Sequence, residues 1–123
     1  MKRSIFIVIT TIILLISIAF PTTVLAASMP TTTITSVKAE NKTIKVKWKK
    51  RANITGYQIQ VATDKKFKKN AKTVVVKKQK TTTATIKKLK SKKKYYVRIR
   101  TYKITNNKKV YSSWSKVKSV VTK

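Results

Sequence analysis

Apolar and polar side chains alternate along several short stretches of the chain after residue 26. Between residues 44 and 49, Ile44, Val46 and Trp48 are each followed by a lysine. Between residues 95 and 100, aromatic or β-branched residues again occupy every second position. A period of two is typical of strands with one buried and one solvated face, and no ten-residue stretch after residue 26 has a helical period. The pattern therefore predicts an all-β fold.

The alternating stretches are separated by turn-forming residues at intervals of roughly 8–12 residues, as in a β-sandwich. Gly56, the only glycine of the chain, opens one strand, and Asn106-Asn107 is predicted to form the turn of a hairpin loop over residues 103–109. The sequence predicts a seven-stranded antiparallel Ig-like sandwich. Its strands are expected at residues 34–39, 44–49, 56–61, 72–77, 81–86, 95–102 and 111–122.

The first 26 residues have the pattern of a secretory signal peptide. Lys2 and Arg3 precede an apolar run from residue 5 to residue 20, and small residues surround Ala26. This order of a basic region, an apolar region and small residues predicts cleavage after Ala26. The alternative is an uncleaved anchor, but the run is shorter than the ~20 apolar residues of a membrane-spanning helix.

We therefore predict a signal peptide at 1–26, a short lead-in at 27–32 and one domain at 33–123. The mature chain is expected to be extracellular, without an integral membrane span, and monomeric. Its Lys, Ile and Asn bias is typical of an AT-rich bacterial genome, which indicates a secreted or cell-surface bacterial protein.

Three motifs resemble the fibronectin type III domain. They are the strand that contains Trp48, the Gly56-Tyr57-x-Ile59-x-Val61 strand, and Leu89 followed by Tyr95-x-Val97-x-Ile99. The resemblance covers about residues 30–122 and implies strands A, B and E packed against C, C′, F and G. The spacing of Leu89 and Tyr95 is that of a tyrosine corner, in which the tyrosine hydroxyl bonds to upstream backbone. The Arg-Gly-Asp loop of integrin-binding members is replaced by Thr105-Asn106-Asn107-Lys108, so that function is not implied.

A second, local resemblance involves the segment Tyr111-Ser112-Ser113-Trp114-Ser115. It is similar to the Trp-Ser-x-Trp-Ser signature of cytokine-receptor domains, where aromatic rings alternate with arginines of the neighbouring strand. Arg98 and Arg100 are the expected counterparts of those arginines here, because both lie on the outward face of the predicted F strand. The resemblance leaves two interpretations open: a structural stack of cations and rings, or a ligand-contacting surface.

Catalysis is not expected, because the chain has no histidine, no cysteine and only two carboxylates, Glu40 and Asp64. Ser-His-Asp and Cys-His catalysis lack their histidine and cysteine, and two carboxylates leave paired-carboxylate hydrolysis and metal sites nearly excluded. We predict a protein that is not an enzyme and uses no cofactor or metal.

The net charge is the property that most needs an explanation. The chain has 31 lysine and arginine residues and a net charge of +29; loss of Lys2 and Arg3 with the signal peptide would lower it by two, to +27. The charge either reflects genome composition and solubility or attracts a polyanion. Lysine outnumbers arginine by 27 to 4. Non-specific, salt-dependent contact with nucleic acid is therefore possible, but base-specific recognition is not expected.

We predict a non-catalytic extracellular binding or adhesion module held on an anionic cell-wall polymer or an acidic polysaccharide. The alternatives are a cationic membrane-active or antimicrobial factor, and a structural domain that pairs with another protein through an edge strand. The candidate ligand-binding residues, which combine basic and aromatic side chains, are Lys92, Lys93, Lys94, Tyr96, Arg98, Arg100, Tyr102, Lys103, Lys108 and Lys109. The expected structural residues are Trp48, Leu89, Tyr95, Tyr111 and Trp114.

Overall fold

The computed structural model describes residues 29–123, and the predicted signal peptide lies outside them. Within the described residues the chain forms eight strands and no helix. The strands are β1 (Ile34–Glu40), β2 (Thr43–Trp48), β3 (Gly56–Ala62), β4 (Lys72–Val76), β5 (Thr83–Ile86), β6 (Lys94–Thr105), β7 (Lys108–Tyr111) and β8 (Lys118–Val121).

The strands form two antiparallel sheets. One sheet has the order β1-β2-β5, and the other has the order β4-β3-β6 with β7 and β8 both paired to β6. This arrangement confirms the predicted sandwich, since β1, β2 and β5 take the places of strands A, B and E.

The predicted seventh strand at residues 111–122 is two strands in the structure. β7 pairs with the end of β6, from Tyr102 to Thr105, and β8 pairs with its beginning, from Lys94 to Val97. The predicted loop at 103–109 is shorter than expected, because β6 and β7 leave only Asn106 and Asn107 between them. Both asparagines are left-handed, with φ of 51° and 64°, as a two-residue hairpin turn requires.

The core consists of the inward-facing residues of both sheets, as the alternation predicts. Ile44, Val46 and Trp48 of β2 face Tyr57 and the apolar residues of β3 and β6, and all of them are buried. The rings of Trp48 and Tyr57 pack with their centroids 5.2 Å apart. Since the sequence contains no cysteine, this apolar contact between the sheets replaces the inter-sheet disulfide of many Ig-like domains.

The tyrosine corner is present as predicted. The backbone N–H of Lys90 donates a hydrogen bond of 2.9 Å to the Tyr95 hydroxyl oxygen, and both Leu89 and Tyr95 are buried. The bond fixes the turn that leads into β6 and satisfies a polar atom inside an apolar environment.

Gly56 is required by the close approach of a neighbouring backbone. A Cβ atom at this position would lie 2.1 Å from the carbonyl oxygen of Val76 in β4. No side chain fits in that space, so the glycine permits β3 and β4 to pair up to the start of β3.

Apart from Phe67, the left-handed positions in the turns and loops of the described residues are lysine or asparagine. In the corner between β5 and β6, Lys88 has a φ of 59° and Lys92 a φ of 53°. A left-handed backbone costs an L-residue about 1–2 kcal/mol, whereas glycine adopts it freely.

Replacement of Lys92 by glycine is therefore expected to raise the free energy of unfolding by about 1 kcal/mol, because the left-handed strain is relieved. Denaturant unfolding at constant ionic strength measures the change. Lys90→Gly is the matched control, since it removes the same charge from the same corner at a residue that is not left-handed. We expect it to lower stability, and equal effects of the two substitutions would contradict the explanation.

Candidate functional site

The predicted binding row lies on the outward face of β6, because its members occupy every second position of that strand. Tyr96, Arg98 and Arg100 are half-buried, but Tyr102 is only 2% exposed. Tyr111 packs against the Tyr102 ring with the centroids 6.3 Å apart, and Lys109 Nζ lies 5.1 Å from the centroid of that ring. Tyr102 is therefore covered, which corrects the expectation that its ring belongs to an exposed row.

Arg98 and Arg100 are stacked between aromatic rings. The Cζ atom of Arg98 lies 4.1 Å from the ring centroids of both Phe67 and Trp114. The Cζ atom of Arg100 lies 4.2 Å from the Trp114 centroid and 3.7 Å from the Tyr111 centroid. The five side chains form one continuous stack, which we call the cation–π ladder, in the order Phe67, Arg98, Trp114, Arg100 and Tyr111.

Two glutamines of β3 accept hydrogen bonds from the edges of the guanidinium groups and so fix their orientation between the rings. Arg98 donates from Nε at 2.9 Å and from Nη2 at 2.6 Å to Gln60 Oε1. Arg100 donates from Nε at 2.7 Å to Gln58 Oε1. Both pairs follow from the register, which places Gln60 opposite Arg98 and Gln58 opposite Arg100. The acceptors are neutral amides, so they orient the two arginines without neutralising their charge.

Between β7 and β8, the hydroxyls of two serines replace the regular backbone pairing with β6, and this positions Trp114 in the ladder. Ser112 N–H donates to Thr101 O at 3.0 Å, and Thr101 N–H donates to Ser112 Oγ at 3.0 Å. Ser115 and Ile99 repeat this exchange at 2.8 and 3.0 Å. The three residue steps from Ser112 to Ser115 therefore lie opposite the two steps from Thr101 to Ile99. The extra residue makes a bulge, from which the Trp114 ring projects across the arginines.

Phe67, in the loop between β3 and β4, is a member of the ladder that the sequence analysis did not include. Its φ of 57° is left-handed, which is rare for a bulky residue and marks a strained position. The loop is held by Asp64, whose Oδ1 accepts the N–H groups of Lys68 and Lys69 at 2.8 Å each. The strain at Phe67 is thus stored where its ring covers the outer face of Arg98.

Burial and mutual repulsion both act on the arginines of the ladder. Burial lowers the pKa of Arg98, and the charge of Arg100 lowers it further. Burial also lowers the pKa of Arg100, while Tyr111 acts in the opposite direction. Because aromatic rings cover both faces of each guanidinium, only the edges of the two groups remain for a ligand, and the geometry favours the interpretation of the ladder as a structural stack.

The predicted lysine clusters lie at opposite ends of the sheet. Lys92, Lys93 and Lys94 are at the start of β6, while Lys103, Lys108 and Lys109 are at the hairpin where β6 ends. The nine residue steps from 94 to 103 separate the two clusters by about 30 Å. The structure therefore does not join the candidate residues into one patch. Close to Tyr96 there is a shallow concavity of about 220 Å³, lined by Lys65, Tyr96, Val117, Lys118 and Ser119.

Comparison with known proteins identifies a family model that matches most of the sequence. The model of the family described as the fibronectin type III domain matches residues 28–119. No protein of curated function matches the sequence. In the described residues there is no helix of the length and apolar character that a membrane crossing requires.

Several solved structures have a similar fold. A β-1,2-glucanase from Parabacteroides distasonis is 21% identical with a TM-score of 0.63, over 77% of this chain and 13% of the glucanase chain. The FN1-FN3 domains of chicken CNTN1 are 25% identical with a TM-score of 0.60, over 76% of this chain and 31% of theirs. A computer-based redesign of a β-sandwich protein is 20% identical with a TM-score of 0.59, over 77% of this chain and 91% of the redesigned chain. This chain thus corresponds to a minor part of the first two proteins.

Removal of the central ring of the ladder is expected to destabilise the fold. Trp114→Ala should lower the free energy of unfolding by about 2 kcal/mol, because two partly desolvated guanidinium groups lose a stacking partner. Ser113→Ala in the same segment is the control and should change stability by less than ~0.5 kcal/mol. In an Arg98→Lys background the tryptophan substitution should cost less, and full additivity in denaturant unfolding would contradict a coupled ladder.

The loop that positions Phe67 is expected to weaken in acid. Backbone N–H groups, first that of Lys69, lower the pKa of Asp64 from its ordinary value of 3.8. The resulting stabilisation is present above the ordinary value and is lost as the pH falls through the lower, folded-state value. Thermal melts at constant ionic strength should therefore decline only below about pH 4. Asp64→Asn keeps the Oδ1 acceptor and should reduce this decline, while an unchanged profile would exclude Asp64 as its origin.

Proposed function

The chain belongs to the fibronectin type III domain family, and on that premise we propose that it is an extracellular, non-catalytic binding module held on an anionic cell-wall polymer or an acidic polysaccharide. The observation that carries the proposal is the nearly uncompensated surface charge. The described residues contain 29 lysines and arginines but only two carboxylates, Glu40 and Asp64. Among these residues the one ion pair is that of Lys45 with Glu40, at 3.9 Å.

A domain with this charge repels itself and is attracted to polyanions over long distances. Its lysines are hydrated point charges on flexible stems, which suit electrostatic retention better than recognition of one ligand geometry. The rigid arginines Arg98 and Arg100 are engaged in the cation–π ladder. The free charge is therefore mostly lysine charge, and binding should be steeply dependent on salt.

An extracellular location is supported by two independent features. Residues 1–26 have the order of basic, apolar and small residues that is typical of a secretory signal. Fibronectin type III domains are also commonly extracellular.

The residue composition and the family both support a binding role. The sequence contains no histidine and no cysteine, and the described residues contain no group of three possible metal ligands. Fibronectin type III domains are typically non-catalytic.

A second candidate is a structural domain that pairs with another protein along β4. In the described sheet β4 pairs only with β3, so its other edge is free, and Val75 on this strand is 38% exposed. Strand addition at such an edge is a common mode of peptide recognition. Binding of this kind would saturate and would resist salt, because it depends on backbone hydrogen bonds.

The proposal is tested by co-sedimentation of residues 27–123 with isolated cell walls, with and without their anionic polymers. We expect binding at ~0.15 M salt that requires the polymers and is largely lost at ~0.5 M, where surface charges are more strongly screened. Uncharged dextran beads are the control. Binding that persists at high salt would favour strand addition at β4, and no binding under any condition would overturn the proposal.

A further inference from the structure

The outward face of the three-stranded sheet carries a second concentration of charge that the sequence analysis did not single out. Because side chains alternate between the two faces of a strand, Lys38 of β1 and Lys45 and Lys47 of β2 point outward. All three are exposed. Cross-strand register arranges them in two rows with hydroxyl residues. One row is Ser36, Lys47 and Thr83, and the other is Lys38, Lys45 and Thr85.

These six side chains enclose a shallow groove of about 420 Å³. All six lining residues are lysine, serine or threonine, so the polar groups of their side chains are ammonium groups and hydroxyls. Every polar group that it presents is therefore a possible hydrogen-bond donor, and the ammonium groups can only donate. Such a lining is suited to an anion.

The register places two like charges directly opposite each other. Lys38 of β1 pairs with Lys45 of β2, and the Cβ atoms of directly opposed residues are about 4.5–5.5 Å apart. Lys47 follows two residues after Lys45 on the same face. Like charges directly opposite one another destabilise a sheet. Glu40, 3.9 Å from Lys45, is the one carboxylate on this sheet and offsets part of that repulsion.

The face of the five-stranded sheet offers a different chemistry. There the arginines are stacked between rings and held by glutamines, so their charge is only partly accessible. The groove of the three-stranded sheet has no aromatic lining, so it offers no platform on which a sugar ring or a base could stack. This contrast favours a flexible, ring-free polyanion as its occupant.

We propose that this groove is the docking surface for an extended phosphodiester polymer whose repeat contains no ring, an inference that rests on the function proposed above. The two rows are two residues apart, which is about 7 Å along the strands. A phosphodiester chain with a short carbon linker repeats its charge at a comparable distance. Successive phosphates then meet successive rows, with lysines supplying the charge and hydroxyls the additional donors.

The test compares two variants that lose the same charge from different places. The first replaces Lys38, Lys45 and Lys47 with glutamine, and the matched control replaces Lys66, Lys68 and Lys69, three exposed lysines of the loop between β3 and β4, with glutamine. Poly(glycerol phosphate) is the probe, and its affinity is measured over a series of salt concentrations. We expect roughly tenfold or greater weakening in the first variant, and a slope of log affinity against log salt that is smaller by up to about three. The control should change much less.

The variants are first compared in thermal melts, where loss of the opposed lysine pair should raise the melting temperature of the first variant at low salt. Glu40→Gln should strengthen binding about twofold or more, because it removes the one negative charge beside the groove.

Each outcome separates the docking surface from the proposed function. If the unmodified protein binds neither poly(glycerol phosphate) nor cell walls, the proposed function fails. If it binds and the two triple variants weaken equally, retention is diffuse and the groove is not the site. If the triple substitution of Lys38, Lys45 and Lys47 weakens the binding of single-stranded DNA or polygalacturonate as much as that of poly(glycerol phosphate), the preference for a ring-free phosphodiester is wrong.

Discussion

The register between β3 and β6 is the constraint on which most of the structure depends. It opposes Ile59 to Ile99 on the inward face and Gln60 to Arg98 on the outward face. A slip of one residue would exchange the two faces, expose the core and place the arginines inside it. The same pairing thus forms the apolar core and orients the guanidinium groups of the cation–π ladder, so packing and surface chemistry cannot be changed independently here.

Much of the fold follows from the sequence, because period-two alternation reports directly on strands with one buried face. The core positions of β2, β3 and β6 are of this kind, and the hydrogen bond of the tyrosine corner follows from the spacing of Leu89 and Tyr95. The break between β7 and β8 was not predictable from alternation, because Ser112 and Ser115 replace ladder partners with their hydroxyls. Side-chain oxygen atoms that act as backbone partners leave no periodic signal in the sequence.

The candidate site was predicted less well than the fold, because it depends on contacts between distant segments. The sequence brought Arg98 and Arg100 together with Trp114 through a local resemblance, but it gave no reason to add Phe67 from a loop more than thirty residues earlier. The opposed pair of Lys38 and Lys45 was also missed. Each lysine alone resembles a solvated position, and only the register between strands makes them neighbours.

The interruption between β7 and β8 affects how neighbouring molecules associate when they are close together. A protein concentrated on a polymer is exposed to edge-to-edge association, in which the border strand of one sheet extends the sheet of another molecule. Here that border is divided into β7 and β8, each four residues long, and the segment between them bonds inward to Thr101 and Ile99. Short, irregular borders are poor templates for a further strand. The feature that places Trp114 over the arginines therefore also makes this border a poor template for strand addition between densely packed copies.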